Sequence, residues 1–176
     1  MSASAVARPG APMPPLTVPL VGGGTRSFGP DETGWAMLVV YRGRHCPRCK
    51  TYLGRLNGLL DGFEGRGVTV TATSADPEDR AQEDRLEFGW RFGLGHSLAE
   101  DDMRALGLYV SDLRSEAETD RPFAEPGVFV VNAEGLVHVL CVSNAAAARP
   151  DLEALLDGIA GIQDRTLPIR GLRGLG

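Results

Sequence analysis

Residues 37–50 read MLVVYRGRHCPRCK, so an apolar run ends a few residues before the pair Cys46 and Cys49. The run at 37–41 has the length and composition of a buried strand. After the second cysteine, apolar side chains recur at helical spacing until the sequence GRG at 65–67, which predicts a helix that begins at the cysteines. The sequence therefore predicts a dithiol at the point where a strand gives way to a helix.

The surroundings of the two cysteines favour thiol redox chemistry. A cysteine at a helix N-terminus faces unpaired backbone N–H groups and the positive end of the helix dipole, and both stabilise a thiolate. We predict Cys46 as the nucleophile and Cys49, one helical turn later on the same face, as the resolving cysteine. Pro47 suits the first helical turn, because its missing N–H would have no partner there. Five nearby cations are expected to lower the pKa of the nucleophile: Arg42, Arg44, His45, Arg48 and Lys50. We favour a role for His45 as a local cation over a role as proton donor.

A CxxC pair has two other interpretations, namely half of a zinc site or an inert pair of thiols. A structural zinc site needs four ligands, and the chain has no second CxxC and no HxxxH motif. The further candidate ligands are Cys141, His45, His96 and His138. We therefore favour redox work and expect no metal and no cofactor. Cys141 lies in the apolar run 139–142 and is expected to be an inert core residue.

Length and composition indicate one globular, soluble domain. The chain has 176 residues, of which 43% are hydrophobic, and a formal net charge of -5. This charge gives no support to nucleic-acid binding, which would need a basic stripe. The apolar runs are too short to cross a bilayer and the start does not resemble a signal peptide, so we expect a cytoplasmic protein without membrane partners.

A β-branched run at 68–73 follows the predicted helix. This strand, helix, strand order implies a right-handed parallel crossover, which places Cys46 at the carboxyl edge of a parallel sheet. Substrates of open α/β sheets bind at that edge. Hairpins are predicted at 16–28 and 127–142. A second helix is predicted to start at 74–78 and to continue through 82–92, and further helices are predicted at 100–106 and 151–159.

Pro126 stands directly before the predicted strand 127–131. A proline at this position cannot donate to the sheet ladder, and a cis bond there would expose a backbone edge to an incoming peptide. The sequence leaves the cis and trans isomers both open.

Six segments form a joint pattern: YRGRHCPRCK at 41–50, SAD at 74–76, GLY at 107–109, FAEPGVF at 123–129, ARP at 148–150 and PIRG at 168–171. This pattern resembles the peroxiredoxin-like redoxins, the alkyl hydroperoxide reductase and thiol-specific antioxidant branch of the thioredoxin superfamily. The resemblance implies an α/β thioredoxin fold, with a central mixed β-sheet flanked by helices and an N-terminal hairpin extension. We expect a single redoxin domain at 16–171, a flexible tail rich in Ala, Pro and Ser at 1–15, and a short tail at 172–176.

The resemblance also implies an activity, that of an antioxidant oxidoreductase. It puts Pro126 at the cis-proline position beside the dithiol, so that Glu125 and Pro126 are expected to bind substrate. The expected substrate is a disulfide or a peroxide, and the expected reductant is a thioredoxin-like protein or a low-molecular-weight thiol. A homodimer is compatible with this interpretation.

The chain departs from true peroxiredoxins around the nucleophile. Their loop carries a proline and a hydroxyl residue, where this chain has Val39 and Gly43, and Pro126 occupies the position of their strand-edge arginine. Arg42 or Arg44 could replace that missing donor. These departures favour dithiol exchange as the leading function, with a thiol peroxidase and a non-enzymatic redox sensor or interaction module as the alternatives.

Overall fold

Strands and helices alternate along the computed structural model, which describes residues 6–173. In chain order the elements are β1 (Leu16–Pro19), β2 (Thr25–Phe28), β3 (Ala36–Val40), α1 (Pro47–Gly65), β4 (Thr69–Thr73), α2 (Glu78–Phe88), β5 (Gly93–Leu94), α3 (Glu100–Ala105), β6 (Val110–Ser111), β7 (Phe123–Ala124), β8 (Gly127–Val131), β9 (Val137–Val142) and α4 (Leu152–Arg165). The α/β class and the hairpin before the core are as the sequence predicts.

A five-stranded mixed sheet occupies the centre in the order β5-β4-β3-β8-β9. β3 runs parallel to β4 and antiparallel to β8, so the predicted crossover through α1 is confirmed. All five residues of β3 are buried, with Met37 and Val39 in the core on one face and Leu38 and Val40 in the core on the other. A strand buried on both faces needs a continuous apolar run, and residues 37–41 supply it.

α1 begins at Pro47 directly after Cys46, which caps the helix. Its buried face is apolar and packs against the sheet: Leu53, Leu56, Leu60 and Phe63. Full burial of each such side chain stabilises the fold by about 1.5–3 kcal/mol. The packing of this face against β3 fixes the first turn of α1, and with it the dithiol, at the carboxyl edge of the sheet.

α2 begins at Glu78, within the helix start predicted at 74–78, but it ends before Gly89 instead of continuing to residue 92. Gly89 adopts a left-handed conformation with φ of 63°. Trp90 and Phe92 are buried beyond that end. Their apolar spacing imitated a continuing helix, but these side chains belong to the approach to β5. α4 is in turn longer than the predicted 151–159.

Part of the expected flexible tail at 1–15 is packed, which corrects the prediction for residues 6–15. Met13 is only 1% exposed, and Gly10 N–H donates to the carbonyl of Val137 at 2.9 Å. This segment satisfies backbone groups of the β8–β9 hairpin, a long-range pairing that composition does not reveal. Residues 1–5 of the expected tail, and 174–176 at the other end, lie outside the described part of the chain.

Within residues 6–173, no helix combines the length and the hydropathy that crossing a bilayer requires.

Candidate active site

Cys46 caps α1 in an extended conformation, and its Sγ accepts the N–H of Cys49 at 3.3 Å. The pKa of Cys46 is lowered to about 5, first by a hydrogen bond from the Cys49 thiol and then by the Cys49 backbone N–H. The Arg42 side chain and the charge of Arg149 lower it further, and together these contacts outweigh the cost of burial. Cys46 is therefore a thiolate at neutral pH.

Cys49 has the opposite protonation state. Its side chain is fully buried, and its Sγ accepts the backbone N–H of Arg42 at 3.4 Å. Burial raises the pKa of Cys49, and the hydrogen bond to Cys46 and the negative charge there raise it further. The site thus holds one thiolate and one thiol, both free in this structure.

Arg149 contacts both sulfurs from the segment that precedes α4. Its Nη2 lies 2.9 Å from the Sγ of Cys49 and 4.0 Å from the Sγ of Cys46. Its Nε donates to the carbonyl of Ala146 at 2.9 Å, and its guanidinium lies 5.1 Å from the centroid of the Tyr52 ring. Sequence reasoning missed this residue. The segment ARP at 148–150 contributed to the family pattern, but nothing local in the sequence connects it with cysteines about a hundred residues earlier.

Arg42 is held beside the dithiol by a buried carboxylate. Its Nε lies 3.2 Å from Oε2 of Glu125, and its guanidinium covers the Phe123 ring at 4.7 Å from the centroid. Ser111 Oγ donates to the other oxygen of Glu125 at 2.7 Å. Glu125 is 5% exposed. Although we expected Glu125 to bind substrate, its carboxylate is engaged in orienting Arg42.

Arg44 points away from the sulfurs toward α2. Its guanidinium lies 3.0 Å from Glu83, 2.7 Å from Glu87, and within hydrogen-bond distance of the buried Asp84. These contacts tie the loop before Cys46 to α2, so Arg44 supports the site by anchoring the loop.

The other predicted supporting residues lie on the first turns of α1. Pro47 and Arg48 are exposed, and the Lys50 ammonium lies 5.4 Å from the centroid of the Phe88 ring. The described structure thus leaves Arg42 and Arg149 as the cations that lower the pKa of Cys46.

His45 differs from our expectation of a local cation. Its ring packs against Phe123 with the centroids 4.6 Å apart, and neither ring nitrogen has a hydrogen-bond partner among the described residues. Burial lowers the pKa of His45 below its ordinary value. The imidazole is therefore neutral at pH 7.

Pro126 is buried, and its bond to Glu125 is trans, since the described chain has no cis peptide. The Pro126 carbonyl accepts the N–H of Ser143 at 3.0 Å, so it is not a free edge for an incoming peptide. Its ring lines a cavity of 470 Å³ together with Cys141, Arg149 and other residues. The sequence left the isomer open, and the structure has the trans form.

Gly43 occupies the position where true peroxiredoxins carry a hydroxyl, and the structure gives the reason for its small size. Its φ is 130°, and a Cβ would come within 2.8 Å of Oδ2 of Asp76. Asp76 is 3% exposed, and the same oxygen accepts the N–H of Arg44 at 2.6 Å. The loop before Cys46 is therefore shaped by a buried carboxylate, and a side chain at position 43 would collide with it.

Access to the nucleophile is narrow, since Cys46 is 1% exposed. A polar cavity of 650 Å³ lies beside it, lined by Arg42, His45, Pro47 and the segment 114–119 among others. A bulky molecule cannot reach the sulfur without movement of this surface.

Cys141 is half-buried on β9, and burial raises the pKa of its thiol. This environment disfavours the reactive thiolate. Among residues 6–173, no group of three or more His, Cys, Asp or Glu side chains could hold a metal ion.

The model of the AhpC/TSA family matches residues 9–140. No curated protein is similar enough in sequence to match. A mutant of peroxiredoxin 6 of Arenicola marina is 19% identical, covering 90% of this chain and 74% of its own, with a TM-score of 0.72.

Two further solved structures have the same fold. A peroxiredoxin-like protein from Aquifex aeolicus is 16% identical, covers 89% of this chain and 88% of its own, and has a TM-score of 0.75. Mycobacterium bovis AhpC is also 16% identical, covers 96% and 99%, and has a TM-score of 0.71. At these identities the likeness confirms the peroxiredoxin type of thioredoxin fold.

Proposed function

This chain belongs to the AhpC/TSA family of antioxidant thiol oxidoreductases, and from that membership we propose that it is a thiol-dependent peroxidase with Cys46 as nucleophile and Cys49 as resolving cysteine. The observation that carries the proposal is the position of Cys46, which caps α1, accepts the Cys49 N–H at 3.3 Å and lies 4.0 Å from the Arg149 guanidinium. These contacts help to lower the pKa of Cys46 to about 5. A thiolate is the nucleophile in such reactions, and a hydroperoxide needs less room at the buried Cys46 sulfur than a protein disulfide does.

The first step consumes the peroxide. The Cys46 thiolate attacks the terminal oxygen of ROOH, the O–O bond breaks, and the alkoxide leaves as ROH after taking up a proton. Cys46 becomes a sulfenic acid. The Cys49 sulfur then attacks the Cys46 sulfur, the S–OH bond breaks, water leaves, and an intramolecular disulfide forms. Two external thiols restore the pair and are themselves joined as a disulfide.

Arg149 connects the two steps. While Cys46 is a thiolate, its charge and hydrogen bond help to keep Cys49 protonated. Oxidation of Cys46 to the sulfenic acid removes both effects, whereas the Arg149 guanidinium, 2.9 Å from the Cys49 sulfur, remains. The pKa of Cys49 must therefore fall after the first step, which activates the second nucleophile when it is needed.

Disulfide exchange is the second candidate, because the CxxC spacing itself favours it. Two observations weigh against a protein disulfide as the substrate. The Cys46 side chain is 1% exposed, and the backbone carbonyl of Pro126 is already bonded to Ser143. A protein disulfide would need a larger rearrangement around Cys46 than a small peroxide would.

The proposal is tested by stopped-flow kinetics, in which the rate of reaction with hydrogen peroxide is compared with the rates with a small disulfide and with a protein disulfide. We expect one equivalent of peroxide to consume two thiols, and Cys46→Ser to slow peroxide consumption by roughly a thousandfold or more. Cys49→Ser should stop at the sulfenic acid, which dimedone traps. Cys141→Ser is the matched control and should behave as the wild type.

Other outcomes would contradict the proposal. Faster reaction with disulfides than with peroxide would make the protein a dithiol oxidoreductase. Slow reaction with both would favour a sensor or interaction module.

A further inference from the structure

Arg149 also lines a second space, a cavity of 320 Å³ between α1 and the segment 146–153. This volume lies within the roughly 300–1,000 Å³ that is usual for small-molecule sites. Side chains of α1 form one wall, including Arg48, Tyr52 and Arg55. The segment before α4 forms the other. The peroxidase mechanism proposed above does not use this cavity.

The cavity is unusually rich in arginine. Arg48 and Arg55 are seven residues apart on α1 and so lie on one face of the helix. Neither they nor Arg149 form an ion pair with a carboxylate of residues 6–173, in contrast to Arg42 and Arg44.

Two acidic residues also line the cavity and reduce its charge without cancelling it. The Asp151 carboxylate accepts the N–H of Ala154 at 2.8 Å and caps α4, and Glu153 is exposed. With three guanidinium groups against two carboxylates, the lining favours an anion that can accept several hydrogen bonds. Carboxylates fit guanidinium groups in this way.

One guanidinium separates this cavity from the resolving sulfur. Arg149 lines the cavity while its Nη2 contacts the Sγ of Cys49 at 2.9 Å. An anion bound by Arg149 would therefore hold the rest of its molecule beside the dithiol. When the dithiol is oxidised, Arg149 loses the thiolate that it faces in the reduced state and is free to take such an anion.

We propose that this cavity binds the carboxylate of a small acidic thiol, and that this thiol reduces the Cys46–Cys49 disulfide. The proposal rests on the proposed function, because it needs that disulfide to form. The arginines select the reductant by its charge. This preference follows neither from the peroxide step nor from the family membership.

Two molecules of the thiol reduce one disulfide. Cys49 is fully buried and in contact with Arg149 in the reduced structure, so the attack needs Arg149 to turn from the Cys49 sulfur toward the bound carboxylate. The thiolate of the acidic thiol then attacks the Cys49 sulfur, the Cys49–Cys46 bond breaks, and Cys46 leaves as a thiolate. Attack at Cys49 is favoured because the sulfur with the lower pKa leaves faster, and the pKa of Cys46 is lowered to about 5. A second thiolate then attacks the sulfur of the first thiol in the mixed disulfide. The two thiols leave joined as a disulfide, and Cys49 leaves as a thiolate that takes up a proton.

Three monothiols of different charge test the proposal on the oxidised full chain. Glutathione carries carboxylates, 2-mercaptoethanol is neutral and cysteamine is cationic. Rates of disulfide reduction, corrected for thiolate concentration, should fall in that order. In Arg55→Gln and Arg48→Gln the ratio of the glutathione rate to the mercaptoethanol rate should fall about fivefold to tenfold, because a charge-assisted contact is lost. High salt should reduce the wild-type ratio in the same direction.

Arg170→Gln is the matched control, since Arg170 is exposed and does not line this cavity. It should keep the wild-type ratio. Equal corrected rates for the three thiols, or a ratio unchanged in both cavity variants, would overturn the proposal. A thiol count after one equivalent of peroxide reports separately on the disulfide, so that failure of the proposed function is recognised before any reductant is added.

Discussion

Arg149 contacts the two cysteines unequally although they lie one helical turn apart. It contacts Cys49 directly and lies 4.0 Å from the Cys46 sulfur. The backbone N–H of Cys49 and the Arg42 side chain already stabilise the Cys46 thiolate. Cys49 is fully buried, so Arg149 is the main group that can offset its desolvation. We therefore expect Arg149 to act mainly in the resolving step.

Replacing Arg149 with Gln should therefore slow resolution more than attack on peroxide. A hydrogen bond to a charged group contributes about 1.5–3 kcal/mol, so disulfide formation should slow by about tenfold or more. The measurement is rapid quenching with dimedone after one equivalent of peroxide, followed by mass spectrometry of the Cys46 adduct. We expect the adduct to accumulate in Arg149→Gln.

Arg149→Lys is the control, because it keeps the charge and should recover part of the rate. A Gln variant that forms the disulfide at the wild-type rate would show that Arg149 only packs against Tyr52.

At the scale of elements, the loop between β3 and α1 determines the orientation of the nucleophile. Gly43 has no side chain and so leaves room beside the loop, and its carbonyl accepts the N–H of Cys46 at 3.1 Å. Asp76, after β4, fills that space and bonds to the N–H of Arg44 at 2.6 Å. The ends of two parallel strands thus hold the loop through one buried carboxylate.

Gly43→Ala should destabilise the protein. The new Cβ would approach the Asp76 carboxylate, and φ of 130° is strained for any side chain, so we expect a loss of about 1–3 kcal/mol in the free energy of unfolding. Gly43→Thr, which restores the hydroxyl of true peroxiredoxins, should be as unstable and no faster with peroxide. Denaturant unfolding and stopped-flow kinetics measure the two effects.

Gly58→Ala is the matched control, because Gly58 lies at an exposed position of α1 and nothing lies within 4 Å of the added Cβ. It should stabilise the protein by roughly 0.5–1 kcal/mol, since alanine favours a helix over glycine. An alanine at position 43 that leaves the unfolding free energy unchanged would contradict the account of this loop.

Local patterns predicted much of the fold, because strand β3, helix α1 and the β8–β9 hairpin each carry their own periodicity. The helix ending at Gly89 was misjudged, since the buried Trp90 and Phe92 continued the helical spacing. The site was predicted only where it is local. The cysteines and their cap are neighbours in sequence, whereas Arg149 and the pairing of Arg42 with Glu125 depend on contacts between distant segments.

For the whole molecule, the fold stabilises the thiolate form of the reduced state. The pKa of Cys46 is depressed in the folded protein, so its contribution to stability is present at high pH and is lost as pH falls through about 5. A disulfide has no thiolate to stabilise. We therefore expect the proposed Cys46–Cys49 couple to be more oxidising than thioredoxin, whose potential is about -270 mV.

The pH dependence of that potential follows from the same protonation states. Between pH 5 and pH 8, reduction takes up two electrons and one proton, because Cys46 stays a thiolate and Cys49 becomes a thiol. As pH rises, the reduction potential should fall by about 30 mV per pH unit in this range. Below pH 5, where both sulfurs take up protons, it should fall by about 59 mV for each unit of rising pH. Equilibration with thiol redox buffers, followed by alkylation and mass spectrometry, measures it. Cys141→Ser should give the same curve, while a slope near 59 mV throughout, or a potential as low as that of thioredoxin, would contradict a stabilised Cys46 thiolate.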